Sequence, residues 1–190
     1  IPYRQLSRLA AVKRSSVMED EVPLMRRLRT DAVHSTKSDE QEVIVKHGIV
    51  ILAQFANLKF KHTREDFERL LSSEGYSRDG AAGSAKEYFD MQFRGDVRFE
   101  FAVSEIVTLS RNLDYYGGNV SSTDRAESDR NPEDMIIEAC RLVDDDVDFS
   151  LYDDDGNGEV DNVFVFFAGG DEAEGAGDDC IWSHAWYLRD

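Results

Sequence analysis

The chain has 190 residues, 41% of them hydrophobic, which suits one compact domain or a domain with an appended segment. Its formal net charge of −17 argues against nucleic acid or an anionic membrane surface as a partner, because phosphate groups would repel it. The longest apolar run is too short to span a bilayer, and two cysteines allow at most one disulfide.

The charge is distributed unevenly along the chain. Residues 1–46 hold 9 basic and 7 acidic side chains, whereas residues 47–190 hold 13 basic and 32 acidic ones. We therefore predict a basic arm over residues 1–46, either a surface linker or the remnant of a propeptide, and a separate unit over residues 47–190. No signal peptide is visible and the first residue is not Met, which favours a mature or trimmed fragment and is compatible with the earlier removal of a secretion signal.

The regular pattern begins with Val43–Phe55, which is rich in Val, Ile and Leu and predicts a buried strand. Thr63 can cap a following helix, with Asp66 three residues later as its reciprocal partner. Gly75 is the residue expected to end that helix.

A second capping pair, Ser84 and Glu87, predicts another helix, which Gly95 should end. In Val97–Val103, apolar residues alternate with Arg98, Glu100 and Ala102, so the segment predicts a strand with one buried face. Ile106–Leu109 is expected to continue the same sheet.

Farther along the chain, Tyr115–Asn119 predicts a turn and residues 121–131 a polar loop. Pro132 suits the first position of the next helix, in which Cys140 lies on the apolar face and is expected to be a small core residue. Val163–Ala168 predicts an apolar strand, and Ile181–Leu188 a short edge strand. Because helices and strands interleave, we expect an α/β or α+β fold with a mixed sheet and flanking helices.

The clearest ligand pattern is the segment Asp153–Asp161, with the sequence DDDGNGEVD. Calcium takes six to eight oxygens, and alternate residues of a tightly turned loop can supply them. With Asp153 at the first loop position, every second residue of the loop is an expected ligand. Gly158 then stands at the position where the chain must turn sharply. The predicted calcium ligands are Asp153, Asp155, Asn157, the backbone carbonyl of Glu159, and Asp161.

This loop is not a complete EF-hand, because Phe164 stands where a bidentate glutamate closes that motif. Further ligands would have to come from elsewhere, and the acidic run Asp144–Asp148 is the nearest source. The side chain of Asp154 is expected to point away from the ion, so its replacement should change the stabilisation by calcium little. The alternative is a solvated acidic turn, although 16 acidic against 2 basic residues from Glu138 to Asp190 make an unneutralised turn costly.

Other candidate sites have weaker patterns. The four histidines lack the H-x-x-x-H spacing, so no zinc site can be assembled from neighbours on one helix; they are His34, His47, His62 and His184. His184, which lies between two tryptophans, is either a hydrogen-bonded edge residue or a ligand. A group of four acidic residues could form a second calcium site or a solvated acidic loop: Glu172, Glu174, Asp178 and Asp179.

Taken together, residues 48–188 resemble the secreted immune-inhibitor-A-like zinc metallopeptidases. The ordered segments that carry the resemblance are GIVILAQFANLKF (48–60), FERLLSSEGY (67–76), GSAKEYF (83–89), DYYGGN (114–119), EAC (138–140), DFSLYDDDGNGEVDNVFVFFAG (148–169) and IWSHAWYL (181–188). The family usually has Pro where this chain has Ser183. The resemblance implies a zincin-type catalytic domain, of which this chain would be the N-terminal part, with calcium stabilisation, secretion or cell-surface location, and protein or peptide substrates.

The family's zinc motif, H-E-x-x-H, is not in this sequence, and no residue of the chain can be assigned a catalytic role. In the family the motif follows the tryptophan-rich segment, so the resemblance places Zn²⁺ in the remainder of the domain. That remainder would be a partner of this chain, either covalently continuous or as a second chain. The chain alone is expected to be inactive. The alternative function is a non-catalytic calcium-binding module for adhesion or carbohydrate.

Overall fold

The structure is a computed structural model that describes residues 43–120 and 129–185. Residues 1–42 of the predicted arm, residues 121–128 of the predicted loop and residues 186–188 of the predicted edge strand lie outside the described residues. Within the described residues, seven α-helices and strands follow one another: β1 (Ile44–Gln54), α1 (Arg64–Ser72), α2 (Ala85–Gln92), β2 (Val97–Thr108), α3 (Leu113–Gly117), α4 (Pro132–Val143) and β3 (Val163–Phe167). Short 3₁₀ helices lie at Arg78–Gly80, Phe149–Tyr152 and Glu172–Glu174.

The strands form one sheet in the order β2-β1-β3, and β1 is the central strand. Both of its neighbours run parallel to it, with Ile44 opposite Val97 in β2 and Ile49 opposite Val163 in β3. Residues 48–53 of β1 are all buried. A central parallel strand is covered on both faces, which explains why this segment is a nearly continuous apolar run.

Alternate residues of β1 enter two different cores. Ile49, Ile51 and Ala53 pack against Phe149 and against the apolar face of α4. That face consists of Met135, Ala139, Cys140 and Val143. Val50 and Leu52 face the opposite side, where Leu71 of α1 and Val103 of β2 complete a smaller core. The sheet therefore lies between two helical layers.

The expected α/β class is confirmed. A mixed sheet was also expected, but all pairings of the described strands are parallel. The chain order gives the reason. Helices α1 and α2 fill the connection from β1 to β2, and α3 and α4 fill the connection from β2 to β3. Connections that contain helices are long enough to return each strand in the same direction.

Local signals placed the starts of α1, α2 and α4 correctly, whereas α1 ends at Ser72 and α2 at Gln92, each three residues before the glycine expected to end it. The Ser84 hydroxyl accepts a hydrogen bond from the Glu87 N–H at 3.3 Å, and the Ser84 N–H donates to the Glu87 carboxylate at 2.8 Å. The Thr63 N–H donates to the Asp66 carboxylate at 3.0 Å. α4 begins at Pro132 as predicted.

Two expectations need correction, and a third is confirmed. Residues of the predicted turn Tyr115–Asn119 belong in part to the short helix α3. Ile181 makes only an isolated parallel bridge with Asp171, and residues 182–185 form no strand. Cys140 and Cys180 are both free, and Cys140 is buried, where desolvation raises its pKa to about 12, so it is a core residue as expected.

None of the described helices has both the length and the apolar character needed to cross a membrane. The longest of them, α4, has 12 residues.

The 3₁₀ helix Phe149–Tyr152 offers a matched test of the larger core. Phe149 is fully buried, whereas Leu151 is 64% exposed. We expect Phe149→Ala to lower the free energy of unfolding by about 3–5 kcal/mol, because it leaves a cavity, and Leu151→Ala to change it by less than about 0.5 kcal/mol. Urea denaturation of both variants measures the difference, and equal effects would contradict this assignment of the core.

Candidate functional site

The predicted calcium loop, residues 153–161, lies at the amino-terminal edge of the sheet. It follows the 3₁₀ helix Phe149–Tyr152 and precedes β3, which enters the sheet beside Ile49 of β1. In open parallel sheets, substrate clefts form beyond the carboxyl ends of the strands. The loop therefore lies at the edge of the sheet opposite to the carboxyl ends of the strands.

Within the loop, side-chain oxygens accept hydrogen bonds from the loop's own backbone. The Asp153 carboxylate accepts from the N–H groups of Asn157 at 3.0 Å and Gly158 at 2.8 Å. The Asp155 carboxylate accepts from the backbone N–H of Asn157 at 3.1 Å and from its amide Nδ2 at 3.0 Å. The Asn157 Oδ1 accepts from the Glu159 N–H at 2.7 Å. These bonds curl the chain so that the predicted ligands share one small loop.

Two further features close the loop. Gly156 and Gly158 have φ values of 70° and 87°, which favour glycine at both positions. At the exit, the Asp161 carboxylate accepts from the Asp154 N–H at 2.9 Å, and the Asp161 N–H donates to the Tyr152 carbonyl at 2.8 Å. The two ends of the loop are thus held together by backbone and carboxylate.

The loop carries the oxygen donors that calcium prefers, but these donors are not arranged as a coordination site. Its donors are all oxygens, which suits a hard cation. Among residues 43–120 and 129–185, however, no three or more His, Cys, Asp or Glu side chains are arranged to hold a metal ion. Calcium binding would require the carboxylates to turn inward, and it remains a prediction.

Asp154 was predicted to point away from the ion, and its side chain makes its contacts outside the loop. Its side chain is only 7% exposed and is directed at β1, where its carboxylate accepts from the His47 N–H at 3.1 Å. The same carboxylate lies 2.6 Å from the His47 Nδ1 and 3.6 Å from the Lys46 Nζ. Asp154 does point away from the loop interior, but it attaches the loop to the central strand.

These contacts also set the protonation of Asp154. Burial opposes its ionisation, but the hydrogen bonds from the His47 side chain and backbone and the nearby charge of Lys46 outweigh burial and lower its pKa. The carboxylate that bridges the loop to β1 is therefore ionised at neutral pH.

A second acidic region lies at the opposite, carboxyl edge of the sheet, after β3. Of the four acidic residues predicted here as a possible site, Glu174, Asp178 and Asp179 are exposed and Glu172 is buried. The four therefore do not converge as one ligand set. Glu172 instead turns inward, where Asn119 Nδ2 donates to its carboxylate at 3.3 Å.

Asp129 also faces this region, and the sequence pattern did not indicate it. Its Oδ2 accepts from the Trp182 N–H at 3.1 Å. Burial and the negative charges of Glu172 and Asp171 raise the pKa of Asp129 to about 6, although the bond from Trp182 opposes them. Asp129 gave no local signal because it lies in a polar segment and its partner is 53 residues away.

The histidines do not form a metal site in the described part of the chain. His47 contacts Asp154, and His62 lies 3.8 Å from the Asp66 carboxylate on α1. The His184 Nδ1 contacts the Trp182 carbonyl, which fits the expected hydrogen-bonded edge residue. His34 lies outside the described residues.

Comparison with known proteins identifies the group to which this chain is similar. A family model described as the catalytic domain of immune inhibitor A, peptidase M6, matches residues 28–190. Immune inhibitor A from Bacillus thuringiensis subsp. alesti is 26% identical over 171 residues, which cover 73% of this chain and 25% of that protein. The chain thus spans about a quarter of the length of the curated relative that it matches.

The contact between Asp154 and β1 predicts the effect of two substitutions. Asp154→Ala should lower the free energy of unfolding by about 1–3 kcal/mol, because it leaves the His47 N–H without its charged acceptor. Glu100→Gln removes a 53% exposed carboxylate 3.9 Å from the other side of the same imidazole and should change stability by less than about 0.5 kcal/mol.

Denaturation should be measured in EDTA, so that cation binding does not contribute to the difference between the variants. If Asp154→Ala is as stable as the wild type, the loop is not held to β1 through this carboxylate.

Proposed function

The chain belongs to the immune inhibitor A peptidase family M6, and from this premise we propose that it is part of a secreted, calcium-stabilised zinc endopeptidase. The reaction would be hydrolysis of peptide bonds in protein substrates. The observation that carries this proposal is the family match, which covers residues 28–190. The parallel sheet sandwiched between helices is compatible with a catalytic scaffold, since its carboxyl edge is the side where such folds place ligands.

We assign the zinc ligands to residues outside these 190. None of the four histidines is followed by the glutamate of an H-E-x-x-H motif. In the described residues the three histidines lie apart, each with its own hydrogen-bond or ion-pair partner. When bound, zinc would activate water and polarise the scissile carbonyl. The residues of this chain would contribute the scaffold, and the remainder of the catalytic domain, continuous or as a second chain, would complete the site.

The calcium part of the proposal rests on the loop at 153–161. We propose that Ca²⁺ binds through the side chains of Asp153, Asp155, Asn157 and Asp161 and through the Glu159 carbonyl. The three carboxylates already lie within one closed loop, so bringing them onto a cation requires side-chain rotation and little backbone movement. Affinity on the order of 10⁻⁴ to 10⁻³ M would suffice, because extracellular calcium is in that range.

The peptidase assignment predicts a chelator-sensitive activity. The full-length protein should hydrolyse casein, and ortho-phenanthroline should abolish the activity, whereas its non-chelating meta isomer should not. Added zinc should restore the activity after dialysis. Residues 1–190 alone should be inactive under the same conditions, because the zinc ligands are absent.

Two results would contradict these assignments. Activity of the full-length protein that resists ortho-phenanthroline would exclude a zinc peptidase. Chelator-sensitive activity of residues 1–190 alone would show that the zinc ligands had been assigned to the wrong part of the protein.

The calcium loop predicts a cation-dependent melting temperature. Calcium at about a hundredfold excess over Kd should stabilise the wild type by roughly 2–3 kcal/mol, and magnesium should substitute poorly because it requires a smaller octahedral site. Asp155→Ala should remove most of this gain. Glu159→Gln should retain it, because the backbone carbonyl is the proposed ligand.

The measurement is a melting curve of each protein in EDTA and after calcium addition. A calcium shift that is unchanged by Asp155→Ala, or that is lost in Glu159→Gln, would refute this set of ligands.

A further inference from the structure

Two acidic side chains at the carboxyl edge of the sheet each have a buried oxygen that no polar group of the described residues satisfies. Glu172 is 6% exposed, and its Oε2 has no hydrogen-bond partner among the described residues. The Asp129 Oδ1 is likewise buried and without a partner there. The second oxygen of each carboxyl group is engaged, by Asn119 Nδ2 for Glu172 and by the Trp182 N–H for Asp129.

The backbone around these two oxygens is fixed by several independent contacts. Asn119 and Asp129 form an isolated antiparallel bridge, so the residue that donates to Glu172 also pairs with Asp129. The Glu172 N–H donates to the Ile181 carbonyl at 3.0 Å. Gly117 of α3 lets the backbone of 180–181 pack closely, because a Cβ there would lie 2.6 Å from the Cys180 carbonyl. The backbone positions that carry the two carboxylates are held by this framework.

Leaving the two oxygens unpaired is unfavourable. A buried ionised carboxylate requires a counter-charge or hydrogen bonds, and two such groups side by side repel each other. None of the ion pairs within the described residues includes Asp129 or Glu172. The nearby Asp171 adds negative charge, although its Oδ1 accepts from the N–H groups of Ala173 and Ser183 at 2.9 and 3.0 Å.

We propose that the Asp129 Oδ1 and the Glu172 Oε2 are ligands of a divalent cation of the calcium class, which joins Asp129 to the segment 171–182. Both free donors are carboxylate oxygens, the type that a hard cation prefers. Two carboxylates match the charge of one divalent ion, and the remaining positions would be filled by carbonyl oxygens and water.

This site is separate from the loop at 153–161. The loop precedes β3 and lies at the amino-terminal edge of the sheet, whereas Glu172 follows β3 and lies at the carboxyl edge. The loop ligands are all within nine consecutive residues, whereas the second cation would connect residues that are far apart in sequence. The second site does not depend on the proposed peptidase activity.

Terbium binding to the full chain tests the site, because terbium occupies calcium sites and its luminescence reports the number bound. The variants Asp129→Asn and Glu172→Gln should each bind one terbium fewer per chain than the wild type. Glu174→Gln, which changes an exposed carboxylate on the same 3₁₀ helix, should bind as many as the wild type. Asp155→Ala reports separately on the loop at 153–161, and its loss should add to that of Asp129→Asn.

Wild-type stoichiometry in either Asp129→Asn or Glu172→Gln overturns the proposal, as it would if the two carboxyl groups simply shared a proton. An unchanged stoichiometry in Asp155→Ala alone bears only on the loop. Should either variant fail to fold, terbium anomalous diffraction from wild-type crystals decides. A peak between the two oxygens supports the site, and its absence overturns the proposal.

Discussion

Strand β1 is bonded on both edges and covered on both faces, and the positions of the other elements follow from that burial. Parallel pairing with β2 and β3 satisfies its backbone groups along both edges. Its side chains alternate between a core under α4 and a core under α1, so neither helical layer can shift without disturbing the same strand. The amino-terminal edge of the sheet, and with it the Asp153–Asp161 loop, is fixed by this strand through Asp154.

The acidic residues of the chain are neutralised in different ways at the two edges of the sheet. At the amino-terminal edge, the carboxylates of Asp153 and Asp155 accept backbone N–H groups, and Asp154 faces Lys46 and His47. At the carboxyl edge, Glu172 is buried and Asp129 has one buried oxygen, with no basic side chain paired to either in the described residues. The need for a cation is therefore greater where the sequence pattern for one is weaker.

Features formed by residues close together in the sequence could be predicted, whereas contacts between residues far apart in the sequence could not. The capping pair Ser84–Glu87 and the apolar run of β1 are local signals, and the structure confirms both. The tie from Asp154 to β1 spans 107 residues, and no periodicity or motif encodes it. Helix α3 was missed because its five residues include turn-forming glycine, and its stability comes from packing of the buried Tyr116.

The two proposed cation sites also differ in how far apart their ligands lie in the sequence, and therefore in the effect of losing the cation. A cation held within residues 153–161 would order one loop that Asp154 already attaches to β1, so its loss would leave that attachment in place. A cation between Asp129 and Glu172 would close a connection across more than forty residues, and loop closure becomes more costly in entropy as the connection lengthens. Its removal would leave two buried charges opposed and would loosen the carboxyl edge as a unit.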